Sequence, residues 1–257
     1  MKMLCRIVLL FLSLSLPTIA FAETHKDATI HKIEQALKGS VRTEADKQRD
    51  SRRKPLETLT FFGLKEDMRV LELFPGGGWY TKILGSVLKE KGELHLAMGL
   101  NFMDETVKIW GQGHLRYVSD DNHIWQRSRM HKFIRFYDKI EFGLTDLDMV
   151  LTFRNMHNMT PQSRMLLNHE VFKSLKPGGI YGVIDHTRRH MEPYAVERWR
   201  RVDPVRIIKE ALDAGFELEA WSDLHARAED GLIYDSVHPS IDKFSDRFTL
   251  KFRKPVE

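Results

Sequence analysis

The sequence predicts an α/β fold in which a mostly parallel sheet lies between two layers of helices. From Arg69 onward, short apolar segments typical of buried strands alternate with longer helical stretches. A chain that alternates in this way builds a parallel sheet with helices on both faces. The last two predicted strands follow each other without a helix between them, so they must pair antiparallel. We therefore expect a seven-stranded, mostly parallel sheet that closes with an antiparallel hairpin.

The elements follow in order from the apolar pattern and from helix start and stop signals. The predicted strands are residues 69–74, 93–98, 133–137, 149–153, 180–184, 216–221 and 247–252. The predicted helices between them are residues 80–89, 104–112, 161–175 and 204–214. Lys176-Pro177-Gly178-Gly179 is predicted to end the third of these helices, and Asp203-Pro204 to begin the fourth.

Residues 1–22 have the pattern of a secretory signal peptide. Lys2 and Arg6 precede an apolar run at residues 7–16, and a small-residue motif ends at Ala22. The run is about half of the ~20 residues that a membrane-spanning helix needs. We expect cleavage after Ala22, a periplasmic or secreted protein, and no stable membrane anchor; an uncleaved anchor is the alternative.

The rest of the chain is predicted to be one domain with a helical lead-in. Residues 23–55 form the lead-in, in which Ile30, Ile33 and Leu37 recur at helical spacing, and residues 56–257 form the domain. A hydrophobic content of 42% suits one globular domain with a large core.

Charge and histidine spacing exclude two classes of partner. The formal net charge is +4, and without residues 1–22 the chain has 38 basic residues against 36 acidic ones, spread along its length. No nucleic-acid surface is therefore expected. The 12 histidines lack H-E-x-x-H or similar spacing, and the only cysteine, Cys5, lies in the predicted signal peptide, so no metal site is expected.

A glycine loop follows the first predicted strand. Glu72 lies in the strand, and Gly76, Gly77 and Gly78 precede a helix, so the backbone and the helix N-terminus are open to a nucleotide-like ligand. The loop lacks the Lys-Ser or Lys-Thr pair of a P-loop. In the dinucleotide fingerprint G-x-G-x-x-G, Thr81 would occupy the last glycine position.

This loop resembles the first motif of class I S-adenosylmethionine-dependent methyltransferases, an acid followed by G-x-G-x-G, with Phe74 where the first glycine usually stands. Asp148 resembles the acid that opens the fourth strand, and residues 172–185 resemble the family's helix, KPGG turn and fifth strand. The resemblance covers residues 56–255. More narrowly, the chain resembles a group of bacterial predicted methyltransferases with signal peptides, on the sequences FPGGGWYT, RNMHN and DRFTLKFRKP.

The resemblance implies a Rossmann-like three-layer sandwich that binds S-adenosyl-L-methionine and methylates a small molecule or an envelope component. It implies that Glu72 orients the glycine loop or binds the cofactor's amino group. Gly76 and Gly78 would line the methionine and ribose portion, with Phe74 and Gly77 in the same loop.

For two further cofactor contacts the sequence leaves alternatives open. The acid that the family carries after the second strand is missing, and Asn101 or Asp104 would replace it, although Asp104 suits a helix cap equally well. Asp138 would contact the adenine, or else be an acid of a surface loop.

The candidate chemistry follows the fourth strand. His157 is the candidate base or substrate contact and Asn155 a positioning group, with Arg154 assigned to the cofactor. The alternative is that Asn155 and His157 only tie down the loop. Asp185 and His186 end the fifth strand and face the same rim.

Two alternatives stay open at this point. The segment at residues 49–55 is a lid whose Arg53 and Lys54 reach a ligand's carboxylate, or it is a solvated helix end. The whole chain is an exported methyltransferase, or it is a catalytically degenerate binding module for a nucleoside or metabolite. Phe74 and the missing acid favour the binding module, whereas the retained glycines and the closing hairpin favour the enzyme.

Overall fold

The structure, a computed structural model, describes residues 17–118, 136–241 and 244–256. Within these residues seven strands form one sheet in the order β3-β2-β1-β4-β5-β7-β6. They are β1 (Arg69–Leu73), β2 (Glu93–Ala97), β3 (Leu115–Tyr117), β4 (Leu147–Phe153), β5 (Leu175–His186), β6 (Glu217–Ser222) and β7 (Arg247–Arg253). Strands β1 to β5 pair in parallel, and β7 is antiparallel to both β5 and β6. The predicted fold class is confirmed.

Eight helices are described around this sheet in the same part of the chain. They are α1 (Pro17–Lys38), α2 (Glu44–Lys47), α3 (Asp50–Arg53), α4 (Pro55–Phe62), α5 (Trp79–Leu88), α6 (Glu105–Trp110), α7 (Pro161–Ser174) and α8 (Pro204–Asp213). Local sequence explains several of their starts. Thr160 and Asp203 accept backbone N–H groups of the first turns of α7 and α8, and a proline begins each helix.

The two faces of the sheet bury separate apolar clusters, because side chains alternate along a strand. Leu71 and Leu73 of β1 pack on one face with residues of α7 and α8. Val70 packs on the other face with α1, α4 and α5. The sheet is thus the middle layer of three, and its edges and strand ends are what remain open to a ligand.

The prediction for the third strand was wrong. Leu115–Tyr117 pairs with β2, in the register Leu94 to Leu115, whereas most of the predicted strand at residues 133–137 lies outside the described residues. In β3 only Leu115 is buried, and Tyr117 is 45% exposed. A three-residue edge strand buries too little to show the apolar alternation on which sequence-based prediction depends.

The KPGG segment forms part of a strand instead of a turn before it. β5 begins at Leu175, and its register against β4 shifts between Leu147 and Met149. Gly178 has a φ of +77°, and its N–H donates to the carbonyl of Lys254. The glycine therefore allows an irregular strand start that hydrogen bonds to the end of β7 hold in place.

The N-terminal prediction lies largely outside the described residues. The structure does not cover residues 1–16, and α1 continues through the predicted cleavage position after Ala22. Ile33 and Ala36 of α1 are buried in the cluster that contains α5. No helix within the described residues has the length and apolar character needed to cross a membrane.

Candidate active site

Three neighbouring strands end in left-handed backbone. Phe74 after β1, Met98 after β2 and Arg154 after β4 have φ values of +54°, +66° and +65°. The three strands are adjacent and parallel, so these bends share one edge of the sheet. Non-glycine residues in this conformation cost about 1–3 kcal/mol each and concentrate at ligand sites. The carboxyl ends of β1, β2 and β4 therefore form a candidate ligand site.

The glycine loop after β1 is open along part of its length. Gly76 and Gly78 have φ values of +56° and +82°, and Gly78 caps the N-terminus of α5. A Cβ atom at Gly78 would lie 2.9 Å from Val107 of α6, whereas at Gly76 or Gly77 it would meet no described atom within 4 Å. A ligand can therefore approach the backbone closely at Gly76 and Gly77.

Glu72 lies beneath this loop, almost fully buried at 2% exposure. Its Oε2 accepts a hydrogen bond from Thr81 Oγ1 at 2.7 Å, which links β1 to α5. No described residue donates to its Oε1. Burial raises the pKa of Glu72 to about 7, because the loss of hydration outweighs the hydrogen bond from Thr81 and the positive charge of Arg53.

The Phe74 side chain belongs to the core. Its ring is buried, and its centroid lies 6.5 Å from that of Tyr137. Phe74 can therefore border a ligand mainly through its backbone. A glycine at this position would leave this apolar volume unfilled.

The remaining cofactor candidates lie near the surface. Asn101 is exposed in a 3-10 turn after β2. Asp104 caps α6 by accepting the N–H of Thr106 at 3.0 Å. Asp138 is exposed in the loop that follows residues 119–135, which the structure does not describe. Their contacts with a cofactor stay predictions.

His157 and Asp185 form a buried hydrogen-bonded pair. His157 Nδ1 lies 2.6 Å from Asp185 Oδ1, and the backbone N–H of His157 donates to Asp185 Oδ2 at 3.0 Å. Asp185 is completely buried. A carboxylate at Nδ1 selects the tautomer with the proton on Nδ1, which leaves the Nε2 lone pair free to accept a proton. No described residue occupies Nε2 with a hydrogen bond, so the pair has the arrangement of an oriented general base.

Asn155 and Arg154 hold the loop between β4 and His157. Asn155 Nδ2 donates to the carbonyl of Phe153 at 3.0 Å, so this side chain ties its own strand end. The N–H of Arg154 donates to the carbonyl of Ile184 in β5 at 2.7 Å. The structure thus gives Asn155 a structural role and keeps His157 beside β5.

His157 borders a cavity of about 520 Å³. Phe136 and Met159 give the cavity apolar walls. Four arginines also line it, and three of them, Arg164, Arg201 and Arg206, form ion pairs with acids. The Trp199 ring lies 5.9 Å from the His157 ring, centroid to centroid. A small molecule with an apolar body fits such a space beside the base.

Arg247 lies at this edge, although nothing in its sequence context predicted it. It begins β7 and lines a second cavity at the same edge, together with Arg154 and His186. Its pattern in the sequence is that of an ordinary strand end. Only the insertion of β7 beside β5, with Arg247 opposite His186, indicates that it reaches the site. No group of three or more candidate metal ligands occurs among the described residues.

Solved structures with the same fold support the architecture. A S-adenosylmethionine-dependent methyltransferase from Aquifex aeolicus aligns with a TM-score of 0.54 at 18% identity, over 88% of this chain and 98% of that one. The cyclase SpnF aligns with a TM-score of 0.54 at 16% identity, over 91% and 97%. Human N-acetylserotonin methyltransferase, in complex with S-adenosylmethionine, aligns with a TM-score of 0.50 at 12% identity, over 94% of this chain and 60% of that one.

No protein-family model and no curated protein sequence matches the chain. At these identities the structural likeness shows the fold. One of the three structures is described as a cyclase, so the fold alone does not determine the reaction.

Proposed function

We propose that the chain is a S-adenosylmethionine-dependent methyltransferase that uses His157 as a general base. The observation that carries the proposal is the His157–Asp185 pair at the carboxyl ends of β4 and β5. β4 lies directly beside β1, whose end carries the open glycine loop. A base and a nucleotide-type loop at one sheet edge are the two parts that a transfer to a protonated acceptor needs.

The residues of the loop fit the cofactor. Gly76 and Gly77 leave space against the backbone, and the N-terminus of α5 offers N–H groups. Glu72 Oε1 is the oxygen available for the cofactor's amino group, while Asn101 and Asp138 would hold the ribose and the adenine. When bound, S-adenosylmethionine supplies an electrophilic methyl group on a sulfonium.

His157 would act on the acceptor. Its Nε2 takes the proton from an acceptor hydroxyl, and Asp185 holds the ring and stabilises the imidazolium that forms. The apolar walls of the cavity beside His157 would shield the acceptor from water, while Asn155 and Arg154 keep the loop in position. The proton transfer accounts for about 10²–10⁴-fold of the rate.

Calorimetric titration with S-adenosylmethionine and S-adenosylhomocysteine tests the cofactor. We expect micromolar dissociation constants, about −8 kcal/mol of binding free energy. A folded protein that binds neither compound contradicts the proposal.

Transfer of labelled methyl groups from S-adenosylmethionine to an envelope extract tests the base. His157→Ala and Asp185→Asn should reduce transfer about 10²-fold or more while the cofactor affinity stays within about threefold. His169→Ala, an exposed histidine of α7, is the matched control and should change neither quantity. Equal loss in the control or unchanged transfer in His157→Ala would count against the catalytic role.

A binding module is the second candidate function. The end of β2 presents neutral, exposed Asn101 where the methyltransferase family carries an acid for the ribose. Binding of a nucleoside without binding of S-adenosylmethionine would favour this alternative.

We also propose that the protein is exported and acts on a small molecule or an envelope component. The predicted signal peptide at residues 1–22 supports export. The mature N-terminus tests it: Glu23 as the first residue in a periplasmic fraction is expected, and an intact Met1 in the cytosol would refute export.

A further inference from the structure

A second cavity at the same sheet edge, of about 360 Å³, is lined mainly by basic side chains. Its lining consists of Arg49, Arg52, Arg53, Arg154, His186, Val237 and Arg247. None of these side chains is a carboxylate. Five guanidinium groups around so small a volume make a strong local positive potential.

The arginines come from parts of the chain that are far apart in sequence. Arg49, Arg52 and Arg53 belong to the α3 segment, Arg154 follows β4, and Arg247 begins β7. Their convergence is therefore a product of the fold. A solvated helix end would place the first three in water, but the structure turns them toward a shared cavity.

The described carboxylates leave most of this charge without an ion pair. Arg49, Arg52, Arg53 and Arg154 form no ion pair with a carboxylate among the described residues. The nearby acid Asp50 instead binds Arg42, whose Nη1 lies 3.0 Å from Asp50 Oδ2.

Asp185, the acid closest to His186 in the chain, is occupied as well. It accepts hydrogen bonds from His157 and from the N–H of His186. Asp50 and Asp185 thus hydrogen-bond to Arg42, His157 and a backbone N–H, and to none of the five guanidinium groups of the cavity.

Two of the guanidinium groups are held in place before any ligand arrives. Arg53 is 9% exposed and its guanidinium lies 4.3 Å from the centroid of the Trp79 ring. Arg247 is 8% exposed and its Nη1 donates to the carbonyl of Arg52 at 3.3 Å. Burial, and next the charge of Arg154, lower the pKa of both Arg53 and Arg247. The positive charge of Arg154 therefore repels both guanidinium groups, and an anion in the cavity would relieve that repulsion.

We propose that this cavity binds a phosphoryl or diphosphoryl group of the methyl acceptor. The inference rests on the proposed methyltransferase function. A phosphate monoester carries up to two negative charges and three acceptor oxygens, and guanidinium groups bind such oxygens in pairs. A single carboxylate would neutralise only one of the five cations.

The position of the cavity agrees with an acceptor anchor. His186 lines it, and the His186 ring lies 5.6 Å from the ring of His157, centroid to centroid. An acceptor that places its phosphoryl group among the arginines therefore has its next atoms beside the base. The phosphoryl group itself undergoes no reaction and serves to orient the acceptor.

Titration of the full-chain protein with inorganic pyrophosphate, in the presence of saturating S-adenosylhomocysteine, tests the inference. We expect pyrophosphate to bind with a dissociation constant below about 1 mM and acetate to bind at least about tenfold more weakly. The exposed Arg49 and half-buried Arg52 allow variants that should fold. Arg49→Gln and Arg52→Gln should each weaken pyrophosphate binding about tenfold.

Arg116→Gln is the matched control. It removes the same charge from an exposed position on β3, the edge strand on the other side of β1. This variant should bind pyrophosphate like the parent protein, and all three variants should bind S-adenosylhomocysteine within about threefold of the parent.

Each other outcome has a definite meaning. Competition between pyrophosphate and S-adenosylhomocysteine, with both weakened by Arg52→Gln, would assign the arginines to the cofactor's carboxylate and overturn the inference. Binding of S-adenosylhomocysteine without pyrophosphate would overturn it while leaving the proposed function intact. Binding of pyrophosphate alone would refute the proposed function and leave an anion site whose ligand is not a methyl acceptor.

Discussion

Phe74 combines a buried aromatic side chain with a left-handed backbone. Replacing it with glycine therefore has two opposite effects: the packing of the ring is lost, and the backbone strain is relieved. Its φ is +54° and its side chain is 6% exposed. Removing the ring costs about 3–5 kcal/mol in a packed core. Only glycine adopts this φ without steric cost.

We predict that Phe74→Ala and Phe74→Gly both lower the free energy of unfolding, with the glycine variant about 1 kcal/mol more stable than the alanine variant. At most buried positions alanine is the more stable of the two. Urea denaturation of the two variants measures the difference. An alanine variant that matches or exceeds the glycine variant would show that the bend at residue 74 carries no strain.

Glu72 makes stability depend on pH. Its pKa rises from the ordinary 4.5 to about 7 in the folded protein, so the folded state holds the proton more tightly than the unfolded state. The stabilising contribution of protonated Glu72 is therefore fully present below about pH 4.5, and it is lost as the pH rises through about 7. Such a pKa shift corresponds to a difference of about 3 kcal/mol in the free energy of unfolding between low and high pH.

We predict that Glu72→Gln stabilises the protein by about 3 kcal/mol at pH 8 and by less than about 1 kcal/mol at pH 5. Urea denaturation at both pH values checks this, with the exposed Glu57→Gln as a control that should show no such dependence. If the substitution has the same effect at both pH values, the buried carboxyl does not titrate between them. The proposed contact between Glu72 and the cofactor's amino group predicts that the same variant binds S-adenosylmethionine more weakly, because an amide supplies no counter-charge to an ammonium group.

Local sequence could identify the parts of the site but not their pairing. Glu72 and the three glycines are contiguous with a strand and a helix, so their position at a strand end could be predicted from the sequence. His157 and Asp185 are separated by 28 positions, and only the β4–β5 register brings them together. The arginine cavity is still less predictable, because Arg247 belongs to β7, which lies beside β5 in the sheet but comes much later in the chain.

At the scale of elements, the β6–β7 connection is held by a buried ion pair. Arg201 Nη2 lies 2.7 Å from Asp230 Oδ2, with side-chain exposures of 0% and 2%. Arg201 also donates to the carbonyls of Tyr234 and Thr187. One side chain thus ties the connection to the end of β5, next to both cavities.

We predict that Arg201→Met lowers the free energy of unfolding by about 3–5 kcal/mol, because Asp230 would stay buried without a partner. Arg206→Met is the control, since Arg206 is 53% exposed and pairs with Glu210 at 3.4 Å. Its loss should cost less than about 1 kcal/mol. Thermal denaturation of both variants gives the comparison, and similar midpoints would contradict the structural role of Arg201.

Elements with a strong apolar pattern were predictable, and irregular ones were not. β1, β2 and β4 lie within about two residues of their predicted bounds, because each is buried on both faces. β3 has one buried residue, and the start of β5 depends on Gly178 and on hydrogen bonds from Lys254. Neither feature produces a periodic signal.

At the scale of the whole molecule, α1 is part of the core. Ile33 is 1% exposed and packs in the cluster of α4 and α5. The boundary that the sequence suggested at residue 55 therefore does not separate two independent sets of contacts.

We predict that Ile33→Ala lowers the stability of the entire domain by about 2–5 kcal/mol, in a single urea transition seen equally by circular dichroism and tryptophan fluorescence. Ile30→Ala, at a half-buried position on the same helix, should have a smaller effect. A separate early transition for α1, with the main transition unchanged, would show that the lead-in unfolds on its own.

The place of β7 has a consequence for synthesis. β7 follows every other described strand in the chain, yet it lies between β5 and β6. Until residues 247–253 emerge from the ribosome, β5 and β6 each present an unpaired edge, which is a template for pairing with another chain. Arg247 arrives with the same strand, so the nascent chain closes its sheet and completes its arginine cavity in one late step.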